Sequence, residues 1–425
     1  MRCKYIGMTA TQQESLREST DLLIRVLKGC PASEELPWLR TPHWDWRGFA
    51  ALCEQHDLAS LVYCRLRGLG VEIPGGLEQH LRSRFLEVSA RNYVLEKKLV
   101  DLTSRFEEDG IPILAFKGPA VAMVAYGDLA LRQFGDLDLI VPQDYLIKAV
   151  SAMRNSGFVQ VRQGGRPYLV PVMSRPENPK HLELSEEIPF RAPDRTYFVD
   201  LHWSVGHGYW RAFSPDIEKV WERTESVTLP HGSVRTLCRE DLLLALCSHG
   251  TKHRWPCLKW LLDIAQLLQQ SSSMNWSRVE EMIARRPRAG VAASLGILLA
   301  EQVLGAPIPA EAARVLPAVE RVRAVASAIR EEIRHNGQSS GDHCGTLLAL
   351  EDRPLTRLKI RAKIAAGYPF GFLRELIVDV SPSDRAFIAL PRYLDFLYHL
   401  VRPMRLMIKY SRQAARTLSR AAGRA

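Results

Sequence analysis

Long apolar runs are missing from this chain. Nowhere do about 18 uninterrupted apolar residues occur, the length a spanning helix needs, so a soluble or at most membrane-peripheral protein is expected. Met1–Ala10 has basic residues at 2 and 4 but no apolar stretch after them, which argues against a secretory signal. Cysteine is sparse and scattered, at 3, 30, 53, 64, 238, 247, 257 and 344. No Cys-x-x-Cys pair and no Cys/His cluster of zinc-finger spacing is present. Single cysteines in apolar contexts read as reduced, buried thiols, and the expected location is cytoplasmic. A Walker A sequence is also absent, which disfavours a P-loop phosphotransferase, and no solenoid repeat appears.

What is present is ordinary globular composition with a basic excess. Of the 425 residues 46% are hydrophobic and 24% charged, and the formal net charge is +10. That balance allows a sizeable core and favours anionic partners without choosing among nucleotides, nucleic acid and anionic membrane.

The apolar spacing changes twice along the chain. Residues 11–109 carry helical periodicity, including Gln12–Leu27 and a long amphipathic pattern over Gly75–Glu108 that stops at Asp109-Gly110. Ile111–Phe116 and Phe134–Val141 have strand length, with a helix expected at 119–126 between them and another at 144–155. Further strands are expected at 158–162, 180–185 and 196–203, around an irregular Pro-rich piece at 164–179. After Pro230 the pattern predicts helices at 239–249, 258–270, 275–286, 289–304 and 309–335, then a loop at 336–345. The fold class is therefore α+β, a small mixed-sheet core at 110–230 between a helical region at 1–109 and helical regions at 231–335 and 336–425.

The informative segment is Arg132-Gln-Phe-Gly-Asp136-Leu-Asp138-Leu-Ile-Val141. On a strand Asp136 and Asp138 share one face, with Cα atoms about 6.5 Å apart, while Leu137, Leu139 and Val141 take the other. Two like charges on one face are best tolerated where a cation neutralises them, and Mg²⁺ or Mn²⁺ suits oxygen ligands that also meet phosphates. Asp200, in Tyr197-Phe-Val-Asp-Leu-His-Trp203, is the best third acid; Asp194 and Glu183 compete less well. Upstream, Lys117 and Gly118 end a strand and open a helix, where a lysine charge and a close backbone approach suit a triphosphate. Taken singly, Asp-x-Asp also fits a solvated strand face, and Lys-Gly an ordinary turn.

In combination these residues resemble a known family. Leu114-Ala-Phe-Lys-Gly-Pro-Ala, Tyr126, Arg132 and Asp136-Leu-Asp138-Leu-Ile-Val are similar to the uncharacterised bacterial nucleotidyltransferases of the polymerase-β-like superfold, and to nucleotidyltransferase toxins of abortive-infection systems. Val199-Asp-Leu-His-Trp203 looks like the family's second signature. Arg239-Glu-Asp-Leu-Leu-Leu-Ala-Leu-Cys-Ser-His249, Lys252-His253 and Leu261-Leu-Asp263 resemble its helical segment. The resemblance covers roughly residues 80 to 290. It implies metal binding by Asp136 and Asp138, a third acid at Asp200, and phosphate contacts by Lys117 and Arg132. One departure is that the usual Gly-Ser after the first strand is Lys117-Gly118, so a serine hydroxyl contact is missing.

The resulting expectation is a Mg²⁺- or Mn²⁺-dependent transfer of a nucleoside monophosphate from an NTP to an acceptor hydroxyl, with release of pyrophosphate. The acceptor is a small molecule, a peptide or protein, or RNA. The alternative is a catalytically silent nucleotide-binding or membrane-peripheral protein on the same fold. His249 and His253, four apart with Lys252 beside them, fit the wall of a nucleotide cleft or buried structural hydrogen bonds. A zinc reading lacks the glutamate of His-Glu-x-x-His, since residue 250 is Gly. Finally, residues 385–425 carry nine basic side chains against Asp395 alone, interleaved with apolar ones. Such a segment lies on anionic membrane, binds RNA less readily for want of aromatic platforms, or packs on the protein.

Overall fold

The computed structural model describes residues 9–29, 45–70, 72–161, 186–206, 208–339, 343–362 and 397. The expected loop at 164–179, the strand at 180–185 and nearly all of the basic segment at 385–425 lie outside these residues. The chain divides into two compact units, Met1–Leu350 and Glu351–Ala425. In the second, residues 354–362 are helical.

The first unit opens with α1 (Ala10–Lys28), α2 (Trp46–Gln55), α3 (Ala59–Gly68) and α4 (Gly75–Glu108). Thr9 starts α1 with a reciprocal cap: its hydroxyl accepts from the Gln12 amide, and Gln12 Oε1 accepts from the Thr9 amide. On α4, Leu77, Leu81, Val88, Leu95, Leu99, Leu102 and Phe106 are buried at helical spacing, and the C-terminal part, from Leu95 to Phe106, packs into the core of the sheet.

Seven strands follow: β1 (Leu114–Ala115), β2 (Asp136–Ile140), β3 (Val159–Gln160), β4 (Glu187–Arg191), β5 (Phe198–His202), β6 (Glu225–Leu229) and β7 (Gly232–Thr236). They form one mixed sheet in the order β3-β4-β5-β2-β1-β7-β6. β2 runs parallel to β5, and β1 runs parallel to β7, while the other pairs are antiparallel. Between β1 and β2 the chain makes a four-residue helix, α5 (Gly118–Val121), continued by a π-helical turn at Ala122–Tyr126. After β2 comes α6 (Leu146–Asn155), and after β5 the one-turn α7 (Ile217–Val220).

The sheet is succeeded by α8 (Arg239–His253), α9 (Leu258–Gln269), α10 (Trp276–Arg285), α11 (Pro287–Leu304), α12 (Ala310–Val315), α13 (Glu320–Asn336) and α14 (His343–Leu350). The α+β class is as expected, with helices on either side of the sheet in sequence. Several details differ. The chain after Pro230 does not turn helical at once: β7 follows and forms a hairpin with β6 before pairing with β1. The helix expected at 309–335 is broken, because Pro317 cannot continue it. The expected loop at 336–345 is shorter, since α14 begins at His343, although 340–342 are not described. Among the described residues no helix is long and apolar enough to cross a membrane.

Candidate active site

Strand alternation sorts the residues of the central strands onto two faces. Leu137, Leu139, Val199, Leu201, Ile188 and Phe190 enter the core cluster. The other face therefore carries Asp136, Asp138 and Ile140 of β2, Phe198, Asp200 and His202 of β5, and Glu187, Pro189 and Arg191 of β4. Registration aligns them in rows: Asp138 opposite Asp200 and Pro189, Ile140 opposite His202 and Glu187, and Asp136 opposite Phe198 and Arg191. Adjacent strands lie about 4.8 Å apart. Three acids expected from sequence thus share one face, and Glu187 makes a fourth. Glu187-Ile-Pro-Phe-Arg191 alternates in the sequence, which is the signal that marks Glu187; the segment lies between the strands expected at 180–185 and 196–203.

Asp138 is the centre of the ionic arrangement. The Lys117 ammonium donates to its Oδ1 at 2.8 Å, and His202 Nε2 lies 3.0 Å from the same atom. His202 Nδ1 lies 3.5 Å from Glu187 Oε2. Burial works against the Asp138 charge, but the Lys117 charge and the His202 hydrogen bond outweigh it and hold the carboxyl well below its usual range. Burial likewise opposes protonation of Lys117 and of His202, and in both Asp138 reverses the balance and raises the pKa. Asp136 has no such partner, and the Asp138 charge raises its pKa. At Asp200 burial, then the charges of Asp138 and Glu187, push the carboxyl up to about 7.

The raised Asp200 pKa has a stability consequence. In acid below about pH 4 the carboxyl is protonated in folded and unfolded chains alike, and it contributes no difference. As the pH rises from 4 through 7 the unfolded chain loses the proton first, so stability is lost across that window and stays low above it. At about 1.4 kcal/mol per unit, the loss is up to about 4 kcal/mol. Asp200→Asn should therefore raise the melting temperature of the ligand-free protein at pH 8 and leave it little changed at pH 4. Parallel melting curves across that range would contradict this.

Lys117 occupies the position before α5, and Gly118 follows with φ +50, a left-handed conformation that favours glycine. A Cβ at Gly118 would stand 3.5 Å from the Asp136 carbonyl oxygen, so the turn runs directly against the acidic strand. Phe116 N–H donates to the Asp138 carbonyl at 2.9 Å, which fixes the Lys117 approach, and the Lys117 ammonium also lies over the Phe116 ring.

Two residues expected at the nucleotide, Arg132 at its phosphates and Lys252 at the cleft wall, are engaged elsewhere. Arg132 is buried and bidentate to Asp263 of α9, with Nε and Nη2 each 2.8 Å from a carboxylate oxygen. Tyr126 donates its hydroxyl to the same carboxylate at 2.8 Å, and Asn92 of α4 donates to the Arg132 carbonyl. This clamp ties the turn before β2 to α9 and α4, so the guanidinium is not directed at a phosphate. Lys252 is buried and pairs with Glu186, just before β4.

His249 and His253 share a face of α8, their ring centroids 4.7 Å apart, and Trp260 lies 4.5 Å from His249. Burial, then the charges of Lys117, His253 and Lys252, keep His249 well below its ordinary pKa. Gly250 has its own reason to be glycine: a Cβ there would meet the Trp255 ring at 2.4 Å. Asp194 is exposed and turns back on Thr196, and Glu183 is not described. Among the described residues no three His, Cys, Asp or Glu side chains are placed as a ready metal site.

No curated protein matches the chain. A crystal structure of an antigenic nucleotidyltransferase-like protein from Paracoccidioides brasiliensis aligns with 48% of this chain and 93% of its own, at 15% identity and a TM-score of 0.27. The signature of the family described as uncharacterised nucleotidyltransferase matches residues 42–305, which span the helices α2 to α4, the whole sheet and the helices α8 to α11. Covering more than half of the sequence and every acid of the site, that match establishes that the chain belongs to this nucleotidyltransferase family.

Proposed function

We propose that the protein moves a nucleoside monophosphate from an NTP to an acceptor hydroxyl and releases pyrophosphate, with a divalent cation held by Asp136, Asp138 and Asp200. The observation that carries this reading is the in-register pairing of Asp138 with Asp200 on adjacent parallel strands, with Asp136 on the same face and Lys117 at its edge. In donor chemistry the set suits Mg²⁺ or Mn²⁺: all oxygen, with Asp136 raised by the Asp138 charge and Asp200 by burial and the Asp138 and Glu187 charges, effects a cation would relieve. Both protein donors to Asp138 fall on Oδ1, which leaves Oδ2 for a cation. When bound, the cation supplies neutralisation of the phosphate oxygens and in-line alignment.

The chain's own groups do the rest. Lys117 exchanges its Asp138 contact for a charge-assisted bond to a phosphate oxygen. His202 stays on Asp138 and keeps that carboxylate oriented. Asp200, in register with Asp138 on the same face, accepts the acceptor's hydroxyl proton. His249 lines the same side as Lys117 and remains uncharged, so it adds polar surface without repelling the lysine. The basic excess of the chain favours approach of the anionic donor, and the segment at 385–425 adds a peripheral contact with anionic membrane or, less favoured, RNA.

The test is incubation of the purified full chain with each labelled NTP, Mg²⁺ or Mn²⁺, and cell lysate. Label should appear on an acceptor only with the cation present. Lys117→Ala should weaken NTP binding about tenfold or more, through loss of one charged hydrogen bond. A folded protein that binds NTP but labels nothing under any of these conditions would instead support the catalytically silent reading.

A further inference from the structure

The row that begins at Asp136 continues across the sheet as Phe198 of β5, Arg191 of β4 and Val159 of β3. All four project from the acidic face, because their neighbours Leu137, Val199, Phe190 and Phe158 lie in the core. Phe198 is 44% exposed and Val159 54% exposed, so two large apolar side chains stand open on this face, Phe198 beside the carboxylates and Val159 two strands further out. Arg191 lies between them, half-buried. Its Nε is shut off from solvent and meets no hydrogen-bond acceptor. It forms no ion pair among the described residues. A buried guanidinium N–H without an acceptor is unfavourable, and such a group is understandable where a ligand completes it.

Position narrows the ligand. In the strand order, Lys117 flanks the carboxylates from the β1 side and Arg191 from the β4 side, about 10 Å from β2 by two strand spacings. The donor's phosphates belong with Lys117 under the proposed function, on which this inference rests. The opposite flank then belongs to the acceptor. Arg191 offers the forked donor geometry that matches phosphate, and Phe198 beside it offers an open aromatic face on which a base stacks. A peptide hydroxyl brings neither a phosphate nor a flat ring.

We propose that Phe198 and Arg191 form the acceptor subsite, and that the acceptor is a nucleoside phosphate, either free or at the end of a strand. Its base lies on Phe198, its phosphate is held by Arg191, and its hydroxyl is presented to the carboxylates. The hydroxyl oxygen then bonds to the α-phosphorus of the NTP, the bond from that phosphorus to the α–β bridging oxygen breaks, and pyrophosphate leaves with the electron pair. The hydroxyl proton passes to Asp200.

Binding tests this without turnover. A fluorescein-labelled hexaribonucleotide with a free 3′ hydroxyl, followed by anisotropy against the full chain, should bind and lose about tenfold or more in affinity on Arg191→Ala. Phe198→Leu, which keeps apolar bulk but loses the aromatic face, should also weaken it, while affinity for a non-hydrolysable ATP analogue stays within about twofold in both variants, set against the tenfold loss expected for one charged contact. Displacement by a nucleoside monophosphate identifies the free nucleotide as sufficient; displacement by oligonucleotide alone identifies the strand end. If neither probe binds at millimolar concentration, or if both variants bind like the parent, the subsite is wrong. Labelling of a lysate protein with no oligonucleotide binding would overturn the subsite and leave nucleotide transfer standing. Absence of label on anything would remove the transfer reading itself.

Discussion

Asp138→Asn is expected to remove nucleotide transfer, with a loss of about 10²–10³-fold or more, the scale on which single electrostatic contributions to a transition state are felt. The substitution acts on the fold as well. Asparagine keeps the shape but not the charge, and the Lys117 ammonium would lose its contact partner and keep only the more distant Asp136 and Glu187 charges, a change of up to about 3–5 kcal/mol where one partner of a buried pair is removed. Loss of activity in this variant alone would therefore be ambiguous. Asp136→Asn separates the two effects. Asp136 is exposed, has no ion pair among the described residues, and is repelled by Asp138. Its neutralisation should lower transfer to a similar degree while the melting temperature holds or rises. Wild-type transfer by a folded Asp136→Asn protein would remove Asp136 from the site. If both substitutions leave transfer intact, the acidic face is not the active site.

Arg132→Ala should be the most damaging substitution for stability. Asp263 is 1% exposed and, among the described residues, would keep only the Tyr126 hydroxyl for a partner. Leaving that carboxylate unpaired is expected to cost about 3–5 kcal/mol, a large part of the stability of an ordinary domain. Arg132→Lys should restore little, because an ammonium cannot reproduce two parallel bonds to one carboxylate. Urea denaturation measures both. A protein of unchanged stability whose affinity for NTP falls tenfold would instead make Arg132 a phosphate ligand, as the family resemblance implies.

Arg132 illustrates where sequence reasoning reaches its limit. Its partner Asp263 is 131 residues away, and nothing local distinguishes a guanidinium that meets phosphate from one that meets a distant carboxylate. Lys252 is similar, with Glu186 66 residues upstream. The acidic strand, by contrast, is legible because Asp-Leu-Asp-Leu-Ile encodes its own two faces. The turn at Lys117-Gly118 is legible too, since a positive φ and a close backbone approach favour glycine. The row that joins Asp138 to Asp200 depends on strand order and register, which are properties of the whole sheet. The β6–β7 hairpin was missed for a local reason: Pro230-His231-Gly232 reads as an end of structure, and here it is the turn between two strands. His231 sits in that turn with its backbone and ring nitrogens on the Glu96 carboxylate of α4, a link no local pattern reveals.

The place of β1 in the sheet governs the order in which this protein can be built. β1 is two residues long and sits between β2, its near neighbour in sequence, and β7, whose Thr236 pairs with Ala115 across 121 residues. The acidic strand and Asp200 are synthesised early, but β1 has only one strand partner until Thr236 has emerged, and the Arg132 clamp waits for Asp263. Long-range pairings of this kind slow folding, since loop closure precedes the contacts that stabilise it. A nascent chain that has reached residue 230 thus carries all three acids and no completed sheet, with β1 open along one edge. Completion of the sheet that carries the acids is thus tied to a late-emerging strand, and the Arg132 clamp to a helix that emerges later still.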